Sequence, residues 1–442
     1  MLDLWGRSFR NCDRVTRRSV LKAGTLLWGG TSLADLLRGR NQAVADGGSV
    51  ADMSVIQIFC GGGPSHLDTY DMKPLAPADI RGEFREISTN VPGVRISEHL
   101  PLQAQVMDRL AVIRSVRHST SSHLPASHLI LTGYETAPPT NGNTHPACGS
   151  VVAAVRGVNY NGMPTYVAVP RGVSFGLAAY LGGAHNPFTT NIEPNNRSFH
   201  VRSLKLVKNV TLQRLEDRRE LLHYFDRLRR DVDLNGNMVG MDTFNRQAVE
   251  LVTSEHAARA FDIAREPEEV RDRYGRTSIG QNCLLARRLV EAGVSYVTCL
   301  SGGGWDTHKD NFNKLRVTSL PRYDRAIAAL ISDLYERGLD KRVLVMAFGE
   351  FGRTPKINAD AGRDHWPGAM SMVLAGGGIQ VGQMHGETDS RGAMPISDPC
   401  SPGDVLSTMY QLMGIDPRHH FHDLDDRPIP ILPEGTPIRA LL

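Results

Sequence analysis

Short apolar runs alternate with amphipathic stretches along most of the chain. Six runs rich in β-branched residues predict buried strands. They are Ser54–Cys60, Leu110–Ser115, Tyr166–Pro170, Val294–Leu300, Arg342–Phe348 and Met370–Ala375. The stretches Gln281–Ala292 and Leu320–Arg337 have apolar residues at helical spacing, and each is followed by a glycine and then by a strand. Such strand–helix–strand units predict an α/β fold with a mainly parallel sheet.

A charged region without strand patterns separates the first three strands from the later ones. Its stretches Thr211–Asp231 and Met241–Arg265 are amphipathic at helical spacing and predict long helices. We therefore expect a helical insertion over about 200–275, within a single domain that spans residues 46–442. The proline-rich residues 426–438 predict an extended surface tail.

The first 45 residues have the pattern of an export signal. Arg17 and Arg18 precede the apolar stretch Ala23–Leu37, and small residues at 43–45 form an A-x-A cleavage pattern. This arrangement resembles a twin-arginine signal. The apolar stretch is shorter than the roughly 20 residues of a membrane span, and Asp35 interrupts it. We expect the twin-arginine translocase to export the protein to the periplasm or the extracellular space, without a permanent membrane anchor. The alternative interpretation of this segment is an ordinary amphipathic helix.

Composition and charge narrow the function classes. The chain has 442 residues, of which 41% are hydrophobic and 22% charged, as in a folded globular protein. Its net charge of +3 comes from the first 45 residues, because the remaining 42 basic and 44 acidic side chains nearly balance. We therefore expect no nucleic-acid partner. Six cysteines without a C-x-x-C pair argue against a disulfide framework or a zinc knuckle.

Histidine and carboxylate residues follow the predicted strands at their carboxyl ends. Asp306 and His308 come after one strand, Glu350 after the next, and Asp364 and His365 shortly before the last. Ligand-type side chains at one edge of a sheet can bind a common metal ion. We therefore predict a metal centre of Asp306, His308 and His365, with Glu350 and Asp364 as further ligands or as partners of the ligands. The alternative is a helix cap at Asp306 and a solvated loop residue at His308.

The loop after the first strand adds His66 and Asp68, which we expect as further metal ligands at the same edge. Its sequence GGGPSH lacks the lysine of a phosphate-binding loop. A nucleotide site is therefore not predicted.

Several long strings resemble those of the large bacterial DUF1501 family, which is placed among relatives of alkaline phosphatase and the sulfatases. They are GGGPSHLDT at 61–69, ARRLVEAG at 286–293, GWDTH at 304–308, GEFGRTP at 349–355, GRDHW at 362–366 and AGGG at 375–378. The resemblance covers nearly all of residues 54–415. It implies a doubly wound sheet and one or two divalent metal ions, at which a Ser, Thr or formylglycine attacks a phosphate or sulfate ester.

The resemblance also implies roles for single residues. Asp306 and His308 look like the first metal pair of the superfamily, and His365 looks like the later histidine that completes this site. Where the superfamily has an Asp-His pair after the next strand, this chain has Gly349 and Glu350, so fewer imidazoles are expected at a second ion. The implied cofactor is one or more divalent ions of Zn, Ca, Mg or Mn.

The nucleophile is implied at the start of a helix. The sequence SSHLPASHLILTG resembles the nucleophile helix of the superfamily and makes Ser121, Ser122 and His123 the candidates, with Ser122 first. The helix dipole and a nearby metal ion would favour the ionised hydroxyl. The alternative is that the serines only cap the helix. Arg353 is expected to bind an anionic ester or, alternatively, to form a structural salt bridge.

These features together predict an exported metal-dependent hydrolase of phosphate or sulfate esters. Its expected substrate is an anionic ester or glycan, including extracellular polysaccharide. No sulfatase-type C-x-P/S-x-R string occurs, so formylglycine chemistry is not supported. The alternative function is a non-catalytic domain of the cell envelope that binds a metal or a glycan.

Overall fold

A computed structural model describes residues 52–135, 142–201 and 250–442. This region contains an eight-stranded sheet and four two-stranded sheets. The strands are β1 (Ser54–Phe59), β2 (Glu86–Ser88), β3 (Arg95–Ser97), β4 (Ala111–Val116), β5 (Tyr166–Val169), β6 (Phe188–Thr189), β7 (Tyr296–Leu300), β8 (Val343–Phe348), β9 (Gly352–Arg353), β10 (His365–Trp366), β11 (Met370–Gly376), β12 (Gln383–His385), β13 (Glu387–Thr388), β14 (Pro395–Ser397), β15 (His420–His422) and β16 (Pro428–Pro430).

The central sheet has the strand order β12-β4-β11-β8-β1-β7-β5-β6. β1 pairs in parallel with β7 and β8, and β5 pairs in parallel with β6 and β7. β11 differs, because it runs antiparallel to its neighbours β4 and β8. The prediction of an α/β fold with a mainly parallel sheet flanked by helices is therefore confirmed.

Helices cover both faces of the sheet. They are α1 (Ala78–Arg81), α2 (Pro101–Ala104), α3 (His123–Thr132), α4 (Cys148–Arg156), α5 (Glu255–Phe261), α6 (Glu268–Tyr274), α7 (Ser278–Glu291), α8 (Asn311–Lys314), α9 (Leu320–Glu336) and α10 (Pro402–Leu412). β1 contributes Ile56 and Ile58 to the core on one face, and Val55 and Phe59 to the core on the other. Because both faces are buried, the strand has the nearly continuous apolar sequence from which it was predicted.

Only the last part of the predicted helical insertion lies among the described residues, and this part differs from expectation. The predicted helix Thr211–Asp231 lies outside the described residues, as does the first part of Met241–Arg265. The described remainder is not one continuous helix, because the Ser254 side chain accepts a hydrogen bond from the Ala257 N–H and starts α5. The next break is at Asp262, whose side chain caps a short 3-10 helix. Local capping bonds thus override the amphipathic pattern.

Two predictions concerned the ends of the chain, and the structure describes only the carboxyl-terminal one. Part of the proline-rich region forms β16, which pairs antiparallel with β15 as a small hairpin. The predicted twin-arginine segment, residues 1–45, lies outside the described residues. Within residues 52–135, 142–201 and 250–442, no helix combines the length and the apolar character needed to cross a membrane.

Candidate metal centre

Loops at the ends of three strands meet at one edge of the sheet. Asp306 follows β7, Glu350 follows β8, and His365 precedes β11. Because β11 is antiparallel to β8, its first residues lie at the same edge as the carboxyl end of β8. The strand order therefore places these three side chains in one region.

Asp306 lies at the centre of a cluster of imidazole nitrogens. Nε2 of His308 and Nε2 of His365 are each 3.1 Å from Asp306 Oδ1, and the two nitrogens are 2.9 Å apart. Nε2 of His123 is 3.4 Å from Asp306 Oδ2. The structure thus brings together the three residues predicted as metal ligands. It adds His123, for which the sequence suggested a catalytic role.

The other nitrogen of each imidazole has an oxygen partner. The pairs are His308 Nδ1 with Asp364 Oδ1 (2.6 Å), His365 Nδ1 with the Ser121 carbonyl oxygen (2.7 Å) and His123 Nδ1 with Glu350 Oε1 (2.5 Å). Carbonyl and carboxylate oxygens accept hydrogen bonds, so Nδ1 is the donor in each pair. In a neutral ring Nε2 then carries a free lone pair. Three such lone pairs converge on the Asp306 carboxylate.

This arrangement fits a divalent metal ion. Acceptor atoms so close together repel one another unless a proton or a cation lies between them. Two ligand atoms at about 2.0–2.2 Å from one ion are about 3–3.5 Å apart, and the separations of 2.9, 3.1 and 3.4 Å agree with this. Metal-binding histidines also use carboxylate or carbonyl partners at their second nitrogen. The residues that would hold the ion are Asp306, His123 and His365, whose ligand atoms all lie within 4.8 Å of one another, and Nε2 of His308 lies beside them at 2.9 Å from Nε2 of His365.

Neighbouring groups set the charges in the cluster. Burial raises the pKa of Asp306, but the hydrogen bond and the positive charge of Arg353 outweigh it and hold the pKa well below its usual range. The hydrogen bond to Glu350 raises the pKa of His123, whereas burial lowers the pKa of His365. The centre of the cluster is therefore an ionised carboxylate at neutral pH.

Arg353 has a structural position. Its guanidinium is buried and donates hydrogen bonds to the carbonyl oxygens of Gly62, Gly63 and Arg363. It also donates to Asp306 Oδ1 at 2.6 Å. Of the two roles predicted for Arg353, these internal partners fit the structural salt bridge, and the buried guanidinium is not placed to bind an anionic ester. Arg353 instead fixes Asp306 against the glycine turn after β1.

Ser122 occupies the N-cap position of α3, which begins at His123 and ends before a left-handed glycine. Its side chain makes no capping hydrogen bond and the residue is exposed. Both neighbours belong to the cluster, since the Ser121 carbonyl holds His365 and His123 faces Asp306. Ser122 therefore lies in the chain between two residues that contact the cluster, and its side chain has no capping role.

His66 and Asp68 are placed elsewhere. The Asp68 carboxylate is 2.8 Å from Arg363 Nε and accepts a hydrogen bond from Asn311 at 2.9 Å, with all three residues buried. His66 is also buried, with Nε2 2.8 Å from the Gly392 carbonyl oxygen, and burial lowers its pKa. We remove both residues from the candidate ligand set, because the loop after β1 turns them into the core.

Glu350 and Asp364 are partners of the ligands. The Glu350 carboxylate accepts the Gly62 N–H at 2.9 and 3.1 Å in addition to the His123 ring. Sequence reasoning did not find His123 as a ligand or the Ser121 carbonyl as a ring partner. The position of His123 next to Ser122 was the available signal. A backbone carbonyl has no signal, because every residue carries one.

One protein family covers most of the chain: the DUF1501 model, described as a protein of unknown function, matches residues 52–442. No curated protein matches the chain. Similar solved structures include Ps i-CgsB in complex with k-i-k-neocarrahexaose (11% identity, 83% of this chain and 72% of that chain, TM-score 0.38), the phosphonate monoester hydrolase SpPMH from Silicibacter pomeroyi (11%, 88% and 76%, 0.37) and alkaline phosphatase from the Antarctic bacterium TAB5 (10%, 82% and 98%, 0.34). Because the family match spans every residue of the cluster, the chain and its candidate site belong to the DUF1501 family.

Proposed function

We propose that this chain is an exported metal-dependent hydrolase of phosphate or sulfate esters, including esters carried on polysaccharide. The observation that carries the proposal is the convergence of imidazole nitrogens on Asp306, with Nε2 of His308 and Nε2 of His365 2.9 Å apart. The side chains of Asp306 and His308 are 46% and 41% exposed, so a substrate has access from solvent. The class of reaction is inferred from the resemblance of the sequence to relatives of alkaline phosphatase and the sulfatases.

The donor set favours a transition metal ion. Imidazole nitrogens together with one carboxylate suit Zn²⁺, whereas Ca²⁺ and Mg²⁺ prefer oxygen ligands. Among Zn, Ca, Mg and Mn, zinc is therefore the first choice. A bound divalent ion of this kind would stabilise the negative charge that develops on an ester during hydrolysis.

Ser122 is the proposed nucleophile. It precedes the first turn of α3, where free backbone N–H groups and the helix dipole favour negative charge on a nearby oxygen. His123 follows it in the chain, so the contact of the His123 ring with Glu350 also restricts the position of Ser122. Asp306, kept ionised by Arg353, would supply the negative charge that binds the ion.

Metal analysis and ester hydrolysis test this proposal together. Protein loaded with Zn²⁺ is expected to hydrolyse an aryl phosphate, a phosphodiester or an aryl sulfate, and Asp306→Asn is expected to lose both metal and activity. Asp416→Asn is the matched control. It removes an exposed carboxylate whose salt bridge among the described residues is to Arg418. A wild type with full metal content that hydrolyses none of these esters would reject the enzymatic proposal.

Binding without turnover is the second candidate function. Arg353, the residue predicted to hold an anionic ester, is used by internal contacts. A metal- or glycan-binding domain of the cell envelope needs no such residue. Metal binding without hydrolysis, together with retention of the protein on a sulfated polysaccharide, would support this candidate.

Export is proposed from Arg17 and Arg18. Replacement of both by lysine keeps the charge and removes the paired guanidinium groups that the export machinery recognises. Full-length precursor should then accumulate in the cytoplasm. Normal export of this double variant would reject the twin-arginine route.

A further inference from the structure

Glu350 connects three loops at the sheet edge. It follows β8 and its side chain is 3% exposed. Its carboxylate accepts the Gly62 N–H in the turn after β1 at 2.9 and 3.1 Å, and it lies 2.5 Å from Nδ1 of His123 at the start of α3. A buried carboxylate with two donors aimed at it has a fixed position.

The main chain of Glu350 makes a second contact with the segment that leads into α3, residues 118–123. Nε2 of His118 is 2.7 Å from the Glu350 carbonyl oxygen, which can only accept. The positions of His118 and His123 therefore both depend on contacts with Glu350, and Ser122 lies between them in the chain. The ring of His123 also packs on Phe351, with ring centroids 5.0 Å apart.

The contact with Glu350 decides which nitrogen of His123 carries the proton. A carboxylate next to Nδ1 stabilises the tautomer that has its hydrogen on Nδ1. Nε2 is then unprotonated and faces Asp306 Oδ2 at 3.4 Å. With the hydrogen on Nε2 instead, the same ring could not bind an ion on the Asp306 side.

We propose that Glu350 is a positioning residue that fixes the Nδ1–H tautomer of His123 and thereby makes this ring a metal ligand. The inference rests on the proposed function, because it assumes an ion at Asp306. The sequence predicted Glu350 either as a further ligand or as a partner of the ligands, and the inference gives it the partner role at His123.

Glu350→Gln tests the inference with almost no change in size. In the wild type, Oε1 accepts from both Gly62 and His123, and Oε2 faces the same Gly62 N–H at 3.1 Å. An amide NH₂ in the place of Oε2 would therefore meet the Gly62 N–H donor to donor, whereas an amide oxygen in that place accepts from Gly62. The amide NH₂ would then face Nδ1 of His123 and move the ring hydrogen to Nε2. We expect Zn²⁺ affinity, measured by competition with a chromophoric chelator, to fall about 10-fold or more.

Nitrogen NMR of the histidine rings gives the decisive readout. At about pH 9, where the imidazoles are neutral, metal-free wild type should show the Nδ1–H tautomer at His123, and Glu350→Gln should show Nε2–H. An unchanged tautomer would overturn the inference. If wild type shows the expected tautomers but binds no Zn²⁺, the proposed function fails while the role of Glu350 in placing the proton stands.

Two further variants separate positioning from folding. In a His123→Ala background, Glu350→Gln should change Zn²⁺ affinity by less than about 2-fold, because the ring on which it acts is gone. A full loss in that background would show that Glu350 acts on the fold and would overturn the inference. Asp364→Asn makes the same change beside His308, where the carboxylate is 52% exposed, so we expect a smaller loss of affinity there.

Discussion

The carboxylates Asp306 and Asp68 both follow strands of the central sheet, but their surroundings are opposite. Asp306 is 46% exposed and contacts imidazole rings as well as Arg353, whereas Asp68 and its partner Arg363 are both 0% exposed. A guanidinium is always charged, so Arg363 neutralises Asp68 permanently inside the protein. Asp306 is also paired with a guanidinium, that of Arg353, but its exposed side and its imidazole neighbours leave room for an ion to bind. Exposure and the additional imidazole partners therefore separate a candidate ligand from a structural carboxylate.

The largest effect on stability is expected at the buried pair. Asp68→Asn should lower the free energy of unfolding by about 3–5 kcal/mol, because it leaves the Arg363 charge buried without its counter-ion. Denaturant unfolding of the metal-free protein measures this change. The exposed control Asp416→Asn should stay within about 0.5 kcal/mol of wild type. A loss below about 1 kcal/mol at Asp68 would contradict the contrast between the two carboxylates.

At the exposed carboxylate of Asp306 we expect a smaller change in free energy, and it concerns metal binding instead of folding. Asp306→Asn should weaken Zn²⁺ binding by at least about 100-fold, or roughly 2.7 kcal/mol, because a neutral amide is a poor ligand. The metal-free protein should lose less stability than Asp68→Asn does, since the amide oxygen still accepts from Arg353. Calorimetric titration measures the affinity. Binding within about 3-fold of wild type would place the ion elsewhere.

The smallest effect on stability is expected at Ser122. Ser122→Ala should change the free energy of unfolding by less than about 0.5 kcal/mol, because its side chain makes no capping bond. Ser401 begins α10 with a full capping box, so Ser401→Ala should cost about 0.5–2 kcal/mol. Ester hydrolysis should be lost only in Ser122→Ala. If Ser122→Ala retains hydrolysis at the wild-type rate, Ser122 is not the nucleophile.

The fold and the closeness of the candidate ligands could be predicted from a small number of local signals, namely the positions of the strands. A parallel sheet brings the carboxyl ends of its strands to one edge, so the positions of Asp306 and Glu350 followed from finding β7 and β8. That His365 lies near them could be predicted once a strand was found directly after it in the sequence. Such arguments do not depend on how each loop turns.

The path of the loop after β1 could not be predicted. Gly62 and Gly63 have φ angles of 109° and 76°, and a side chain on Gly62 would collide with the backbone of Asp306. This close approach lets Arg353 bond to both glycine carbonyls, while Asp68 lies in the core. The direction of His66 and Asp68 thus depends on contacts between distant segments, which residue types alone do not reveal.

The position of β11 in the sheet also determines when the site can form during synthesis. Within the described strands, β4 joins the central sheet through β11 and β12 alone, and both come from residues 370–385. β4 leads directly to Ser122 and His123, so these residues cannot take their places until the ribosome has made most of the chain. A nascent chain that has passed Asp306 but not β11 still lacks a completed site, so an ion at the proposed centre would bind only after the sheet has closed.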